Sequence, residues 1–191
     1  MRGLKVLSMV LALAAVDAEL SAEIEAQARV GAYFSSGLGG QGRAEQGGFS
    51  GDFDLDPTVG VGLRLELPVG TLVHLGPFAE FDAYKADGAS GRDLGVDTGL
   101  MLRVGPTFDV GTMKLEVYGA LPLGFTAYFP DAVDETMLGF TVGALAGAQL
   151  HVHERVAVML EMGWQMHRVY EDDASLTANQ AKLQLGALLL L

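Results

Sequence analysis

The stretch "TVGVGLRLELPVGTLVHLG", Thr58 to Gly76, alternates at every residue: Val59, Val61, Leu63, Leu65 and Leu67 take the odd positions, and Thr58, Gly60, Gly62, Arg64 and Glu66 the even ones. A period of two marks a strand with two unlike faces. After the corner at Val69-Gly70-Thr71 a second run begins, with Val73, Leu75, Pro77, Ala79 and Phe81 against His74, Gly76, Phe78, Glu80 and Asp82. A soluble barrel would hide the aliphatic face inside, and a membrane barrel would turn it to lipid. Sidedness therefore decides the fold.

The alternation recurs in eight segments, approximately 27 to 37, 57 to 69, 72 to 86, 93 to 108, 113 to 128, 136 to 152, 155 to 170 and 177 to 191. Short connections fall at Gly70-Thr71, around Gly111 and at His153-Glu154. Long polar ones run from Leu38 to Asp56, Ala86 to Arg92, Pro130 to Glu135 and Glu171 to Leu176. In an up-and-down antiparallel meander this places the long loops at one end, and the tight turns with both termini at the other. Outer-membrane barrels have this layout, and so do eight-stranded lipocalin-like barrels.

Glycine separates the two. Gly31, Gly60, Gly62, Gly76, Gly95, Gly99, Gly105, Gly124, Gly139, Gly143, Gly147, Gly163 and Gly186 all share the polar face, and only Gly119 falls on the aliphatic one. Glycine weakens a strand and has nothing to pack, but in a narrow lumen it leaves room for bulky neighbours such as Arg64, Phe78, Arg103 and Tyr118. The polar face is thus expected inside and the aliphatic face outside. A continuous apolar band of that extent is tolerated in lipid rather than water, and closure pairs every backbone donor and acceptor, as hydrocarbon requires. Phe34, Phe81, Phe125, Tyr128, Trp164 and Tyr170 are candidates for an aromatic girdle near the long loops, with Phe108 near the turns.

The last segment, "AKLQLGALLLL", alternates to its end through Leu183, Leu185, Ala187, Leu189 and Leu191. With the preceding pattern, residues 27 to 191 resemble the small eight-stranded outer-membrane β-barrel proteins of Gram-negative bacteria, the OmpA/OmpX-like group. The resemblance implies an all-β, eight-stranded antiparallel up-and-down transmembrane barrel with extracellular long loops, and a C-terminal strand read by the barrel-insertion machinery. That family commonly ends in Phe, and Leu191 departs from it. Lipids and lipopolysaccharide of the outer membrane are the expected surroundings, and a monomer is expected.

The chain start fits export. In "MRGLKVLSMVLALAAVDAELSA", Arg2 and Lys5 precede an apolar core from Val6 to Val16, as in a secretory signal peptide. Cleavage after Ala18 or Ala22 would leave residues 23 to 191 as the barrel. No later run reaches the roughly 20 apolar residues of a helical span. Cysteine is absent, which removes disulfides and thiolate chemistry. The net charge of −12 argues against nucleic acid as a partner.

Charges on the glycine-bearing face are the principal candidates for function: Arg64, Arg103, Lys114 and Lys182 facing Glu66, Glu80, Asp82, Asp97, Glu116 and Glu161. Adjacent strands are expected to bring Arg64 near Glu80 and Arg103 near Glu116. Buried ions need partners, so the expected outcome is a lumen plugged by ion pairs, in a protein with a structural or surface-interaction role.

No metal, cofactor or catalytic residue is assigned. His151 and His153 point to opposite faces, and His167 has Asp172 and Asp173 nearby in sequence but no matching serine. Asp52, Asp54 and Asp56 lack the glycine and glutamate of a calcium loop. These residues, with Asp131, Asp134, Glu135 and Glu171, read as solvated acidic loops. The run "GLGGQGRAEQGG" reads as flexible. Three alternatives stay open: a narrow cation-preferring channel, a secreted soluble lipocalin-like barrel binding an apolar ligand, and a lipid A-modifying barrel enzyme.

Overall fold

The computed structural model describes residues 27–85, 91–131 and 136–191. The expected leader, residues 1–22, lies outside them. Ten strands are present among the described residues: β1 (Arg29–Gln46), β2 (Phe49–Leu55), β3 (Thr58–Pro68), β4 (Val73–Tyr84), β5 (Asp93–Val104), β6 (Thr107–Val110), β7 (Met113–Phe129), β8 (Met137–His153), β9 (Val156–Glu171) and β10 (Ala174–Leu190). Eight of them form a closed antiparallel meander, β1-β3-β4-β5-β7-β8-β9-β10, sealed by β10 pairing back to β1 from Arg29↔Leu190 to Gln46↔Ala174. Closure leaves that ring without a free edge.

Sidedness follows the glycines. Leu63 is 61% exposed and Phe125 75%, whereas their strand neighbours Arg64 and Thr126 are 3% and 4% exposed. The described aliphatic residues at alternating positions face outward on every long strand, so the exterior is an apolar band around a polar, filled lumen. Of the strand glycines named above, only Gly119 is exposed. Such an exterior belongs in hydrocarbon, and the soluble lipocalin-like alternative, which needs the opposite sidedness, does not fit it.

Two segments depart from the sequence reading. The stretch 38–56, expected as a loop with a flexible glycine run, is a β-hairpin rising beyond the rim. β1 continues to Gln46, turns at Gly47-Gly48 (φ 56° and 85°), and returns as β2, paired from Gln46↔Phe49 to Gly40↔Leu55. Positive φ at both turn residues suits the two-residue hairpin, and glycine adopts it freely. The other departure is at 171–176, where Glu171 pairs with Ala174 across a two-residue turn at Asp172-Asp173, with Asp172 at φ 43°. At the opposite end Gly111 (φ 65°) turns β6 into β7.

Pro57 and Pro106 mark the breaks between β2 and β3 and between β5 and β6, since proline cannot donate to a ladder. The chain bridges them with Asp56 N–H donating to Lys85 O (3.1 Å) and Val117 N–H donating to Pro106 O (3.1 Å).

Candidate functional site

The lumen holds two separate groups of buried charge. Nearer the turn end, Arg29, Arg64 and Arg103 meet Glu66, Glu116 and Glu161. Arg64 lies 2.9 Å from Glu66 and 2.7 Å from Glu161. Arg103 lies 2.5 Å from Glu66 and 2.6 Å from Glu116. Arg29 lies 2.8 Å from Glu116 and 3.6 Å from Glu66. Neutral side chains add to the set: Tyr118 donates to Glu161 (2.7 Å), and Arg103 donates to Gln149 (2.8 Å) while stacking 3.7 Å above the Tyr118 ring. Three guanidiniums against three carboxylates leave this inner group balanced. Removing one partner of such a set would strand a buried charge.

The outer group lies toward the hairpin end. Lys182 is 2.5 Å from Glu80 and 2.7 Å from Asp82. Tyr33 and Gln184 donate to Glu80 (3.0 and 3.2 Å), and Ser35 donates to Asp82 (3.1 Å). Asp97 sits directly across from Glu80, accepts from Gln165 (3.2 Å) and faces His167 at 3.3 Å. No ion pair among the described residues joins the outer group to the inner one. Between them Phe78, Met101, Tyr118, Ala120 and Leu145 form a buried apolar cluster.

The residues singled out from sequence are distributed as follows. Arg64, Glu66, Arg103, Glu116 and Glu161 are in the inner group, and Glu80, Asp82, Asp97 and Lys182 in the outer. Arg103 and Glu116 meet across the sheet as expected. Arg64 does not meet Glu80: its cross-strand neighbour on β4 is Phe78, and Glu80 stands opposite Gly62. Arg64 instead reaches across the lumen to Glu161 on β9. Lys114 makes no ion pair among the described residues. It lies beyond the point where β5 and β7 last pair, at Val104↔Gly119, and is opposite Asp109 and His151.

Arg29, Tyr33, Tyr84, Gln180 and Gln184 were not singled out. "RVGAYFS" nevertheless puts Arg29, Tyr33 and Ser35 in phase with Gly31, the signal that would have placed them inside. His167 is bound to the lumen rather than to Asp172 or Asp173: Asp97 is on one side, and the Tyr84 hydroxyl lies 3.3 Å from Nε2. Tyr128, expected in the outer girdle, is on the inner wall, where its hydroxyl donates to Asp93. Leu185, Ala187, Leu189 and Leu191 face outward on the last strand, and Leu183 is half-buried on the same side.

At the hairpin end of the lumen lies a small cavity of about 30 Å³, with Phe53 and Leu55 of β2 in its wall and Tyr84, Tyr128, Asp93 and His167 among its lining. Among the described residues no group of three or more potential ligands could hold a metal ion.

Comparison with known proteins finds no matching protein-family model and no matching curated protein. Among solved structures, the outer membrane protein OprG from Pseudomonas aeruginosa aligns with a TM-score of 0.54 at 11% identity, covering 87% of this chain and 96% of that one. The N-terminal β-barrel domain of Pseudomonas aeruginosa OprF gives 0.50 at 12% identity, over 87% and 98%. The outer membrane protease OmpT from Escherichia coli gives 0.40 at 8% identity, over 85% and 97%. At these identities the likeness to OprG and OprF is one of fold: the chain has the closed, eight-stranded architecture of small outer-membrane β-barrels.

Proposed function

We propose that this chain is an integral outer-membrane protein with a sealed lumen, that it acts as a structural or surface-interaction element, and that it carries no catalytic activity. The observation that supports this most strongly is the balanced inner group of three arginines and three glutamates, which fills the barrel where a channel would need water. An apolar exterior around it suits lipid, and the β1–β2 hairpin extends the wall past the rim as a surface for contact.

On this reading the long hairpin lies outside the cell and the turn at Gly111 faces the periplasm. Lipopolysaccharide surrounds the outer rim, where Arg168 holds its guanidinium 5.4 Å from the Tyr170 ring centre. That cation, in the interfacial region, suits an anionic headgroup. The insertion machinery would meet the outward leucines of β10.

The test is made on cells expressing the full chain. The protein should stay with membranes through a carbonate wash and migrate faster on a gel before boiling than after. An epitope inserted at Gly47 should be reached by antibody on intact cells, and one at Gly111 only after permeabilisation. Extraction by carbonate would refute the membrane assignment, and reversed accessibility would refute the orientation.

A further inference from the structure

We propose that the outer edge of β2, from Ser50 to Asp54, docks an extended polypeptide segment that adds to the sheet as an antiparallel strand and alternates basic with apolar residues. The proposal rests on the surface-interaction reading above and names the surface and the class of partner.

The backbone supplies the first reason. β2 pairs with β1 along one side only. The pair that closes its two-residue turn, Gln46↔Phe49, exchanges hydrogen bonds, and bonded pairs alternate along an antiparallel ladder. Phe49, Gly51, Phe53 and Leu55 therefore turn their N–H and C=O groups to β1, and Ser50, Asp52 and Asp54 turn theirs away. Asp56, next in the same phase, shows where they lead: its N–H donates to Lys85 O (3.1 Å), just past the last residue of β4. Among the described residues no backbone group pairs with Ser50, Asp52 or Asp54 on that side. Their donors and acceptors stand in a row above the rim, the template to which another strand adds.

Charge selects the partner. Asp52 and Asp54 share the outer face of β2 with Ser50. Arg43, opposite Asp52 on β1, divides its charge between Asp52 (3.7 Å) and Glu45 (2.9 Å), and Asp54 has no ion pair among the described residues. Like charges directly opposite each other destabilise a strand pair. The acidic edges of two copies of this chain would therefore repel, whereas Lys or Arg opposite Asp52 and Asp54 would be held.

The other face of the strand is apolar. Phe49 is 84% exposed, and Phe53 is half-buried against Gly42. In an added strand the side chains between the basic ones fall on this face, beside the two phenylalanines. A segment with one basic and one apolar side matches both faces at once.

The test uses the full barrel in nanodiscs of phosphatidylcholine, a zwitterionic lipid that does not attract a basic peptide, with empty nanodiscs as the blank. The probe is a fluorescent heptapeptide, Lys-Val-Lys-Val-Lys-Val-Lys, read by polarisation. Saturable binding is expected, and the Glu-Val counterpart should bind roughly tenfold more weakly or worse. Backbone N-methylation of the lysines, whose N–H groups would face β2, should abolish binding. The same change at the valines, whose N–H groups face away, should preserve it. Asp52→Asn removes only a charge and should weaken binding severalfold. Asp52→Pro also removes an outward donor while leaving the bonds to β1 intact, and should bind far more weakly than Asp52→Asn. The double variant Asp52→Lys, Asp54→Lys should prefer the Glu-Val peptide.

No saturable binding of the basic peptide to wild type would overturn the proposal. Full binding of the lysine-methylated peptide would too, as would equal affinity in Asp52→Pro and Asp52→Asn, or an unchanged preference in the double variant. Heat-shifted gel migration of each sample verifies the folded barrel, so such a failure would leave the membrane-barrel reading standing.

Discussion

Tyr118 on β7 and Gly147 on β8 are directly paired across the sheet, and the tyrosine ring lies over the glycine so closely that a methyl there would come within 2.6 Å of Tyr118 Cζ and 2.7 Å of Glu161 Cγ. The absent side chain is the space the ring occupies, and lying flat lets its hydroxyl reach Glu161 at 2.7 Å. Tyr33 covers Gly62 and Tyr84 covers Gly95 in the same manner. These glycines weaken their strands intrinsically, but each one lets an aromatic ring lie flat inside a narrow lumen beside the ion pairs.

Gly147→Val should therefore overfill the lumen and lower stability by about 1–3 kcal/mol. Gly119→Val is the control, because the outward glycine has nothing nearer to its added methyl than Leu145 O at 3.9 Å. It should stay within about 0.5 kcal/mol of wild type. Urea unfolding from lipid vesicles reads both. Equal losses would mean that crowding does not explain the inward glycines.

Lipid exposure makes the cost of a charge depend on depth. Leu63, in mid-strand, and Val69, at the β3–β4 turn, both face outward at 61% and 66% exposure. Leu63→Arg should cost about 2–4 kcal/mol and Val69→Arg about 0–1 kcal/mol. The same unfolding assay applies, and a Leu63→Arg protein as stable as wild type would contradict the assigned bilayer position.

The two charge groups should be energetically separable. Lys182→Met strands Glu80 and Asp82, and Arg103→Met strands Glu66 and Glu116 in part. Each should lose about 3–5 kcal/mol. Since the two cations share no carboxylate, their losses should add to within about 0.5 kcal/mol. Arg29 and Arg103 share both Glu66 and Glu116, so the corresponding pair of variants should not add. A double-mutant cycle on each pair measures this.

The alternation and the glycine face carried the barrel, its strand number and its sidedness, because a period of two survives wherever a strand runs unbroken. It fails where the phase slips. A bulge between Gly37 and Gly40 shifts the pairing of β1 with β10 by one residue, so inward positions change from odd to even and the continuing strand reads as loop. Pro57 interrupts the return strand in a similar way. At Asp172-Asp173 the polar residues of a tight turn resemble those of a long loop.

Partner choice in the lumen was less legible for a different reason. Register alone does not set the partners: Arg103 stands opposite Ala120 yet reaches Glu116 further along β7, and Arg64 to Glu161 and Lys182 to Glu80 span the barrel interior, where distances depend on shear rather than on local sequence.

The sealed lumen bears most directly on conduction. Eight strands enclose a space that side chains can fill, and here Arg103, Glu116 and Glu161 are each at most 1% exposed, with Phe78 and Tyr118 packed above them at 3% and 4%. An ion crossing the barrel would have to part Arg64 from Glu161 and Arg103 from Glu66 together, and each separation leaves charges buried without partners. Wild-type protein in a planar bilayer should therefore show no steady open level. Arg103→Ala should lose stability before it gains current, because removing the guanidinium also releases the stack on Tyr118 and the bond to Gln149. Single-channel recording of both proteins, alongside their unfolding midpoints, separates the outcomes. A long-lived open state in wild type would reject the plugged lumen in favour of a narrow channel, which the uncompensated carboxylates of the outer group would bias toward cations.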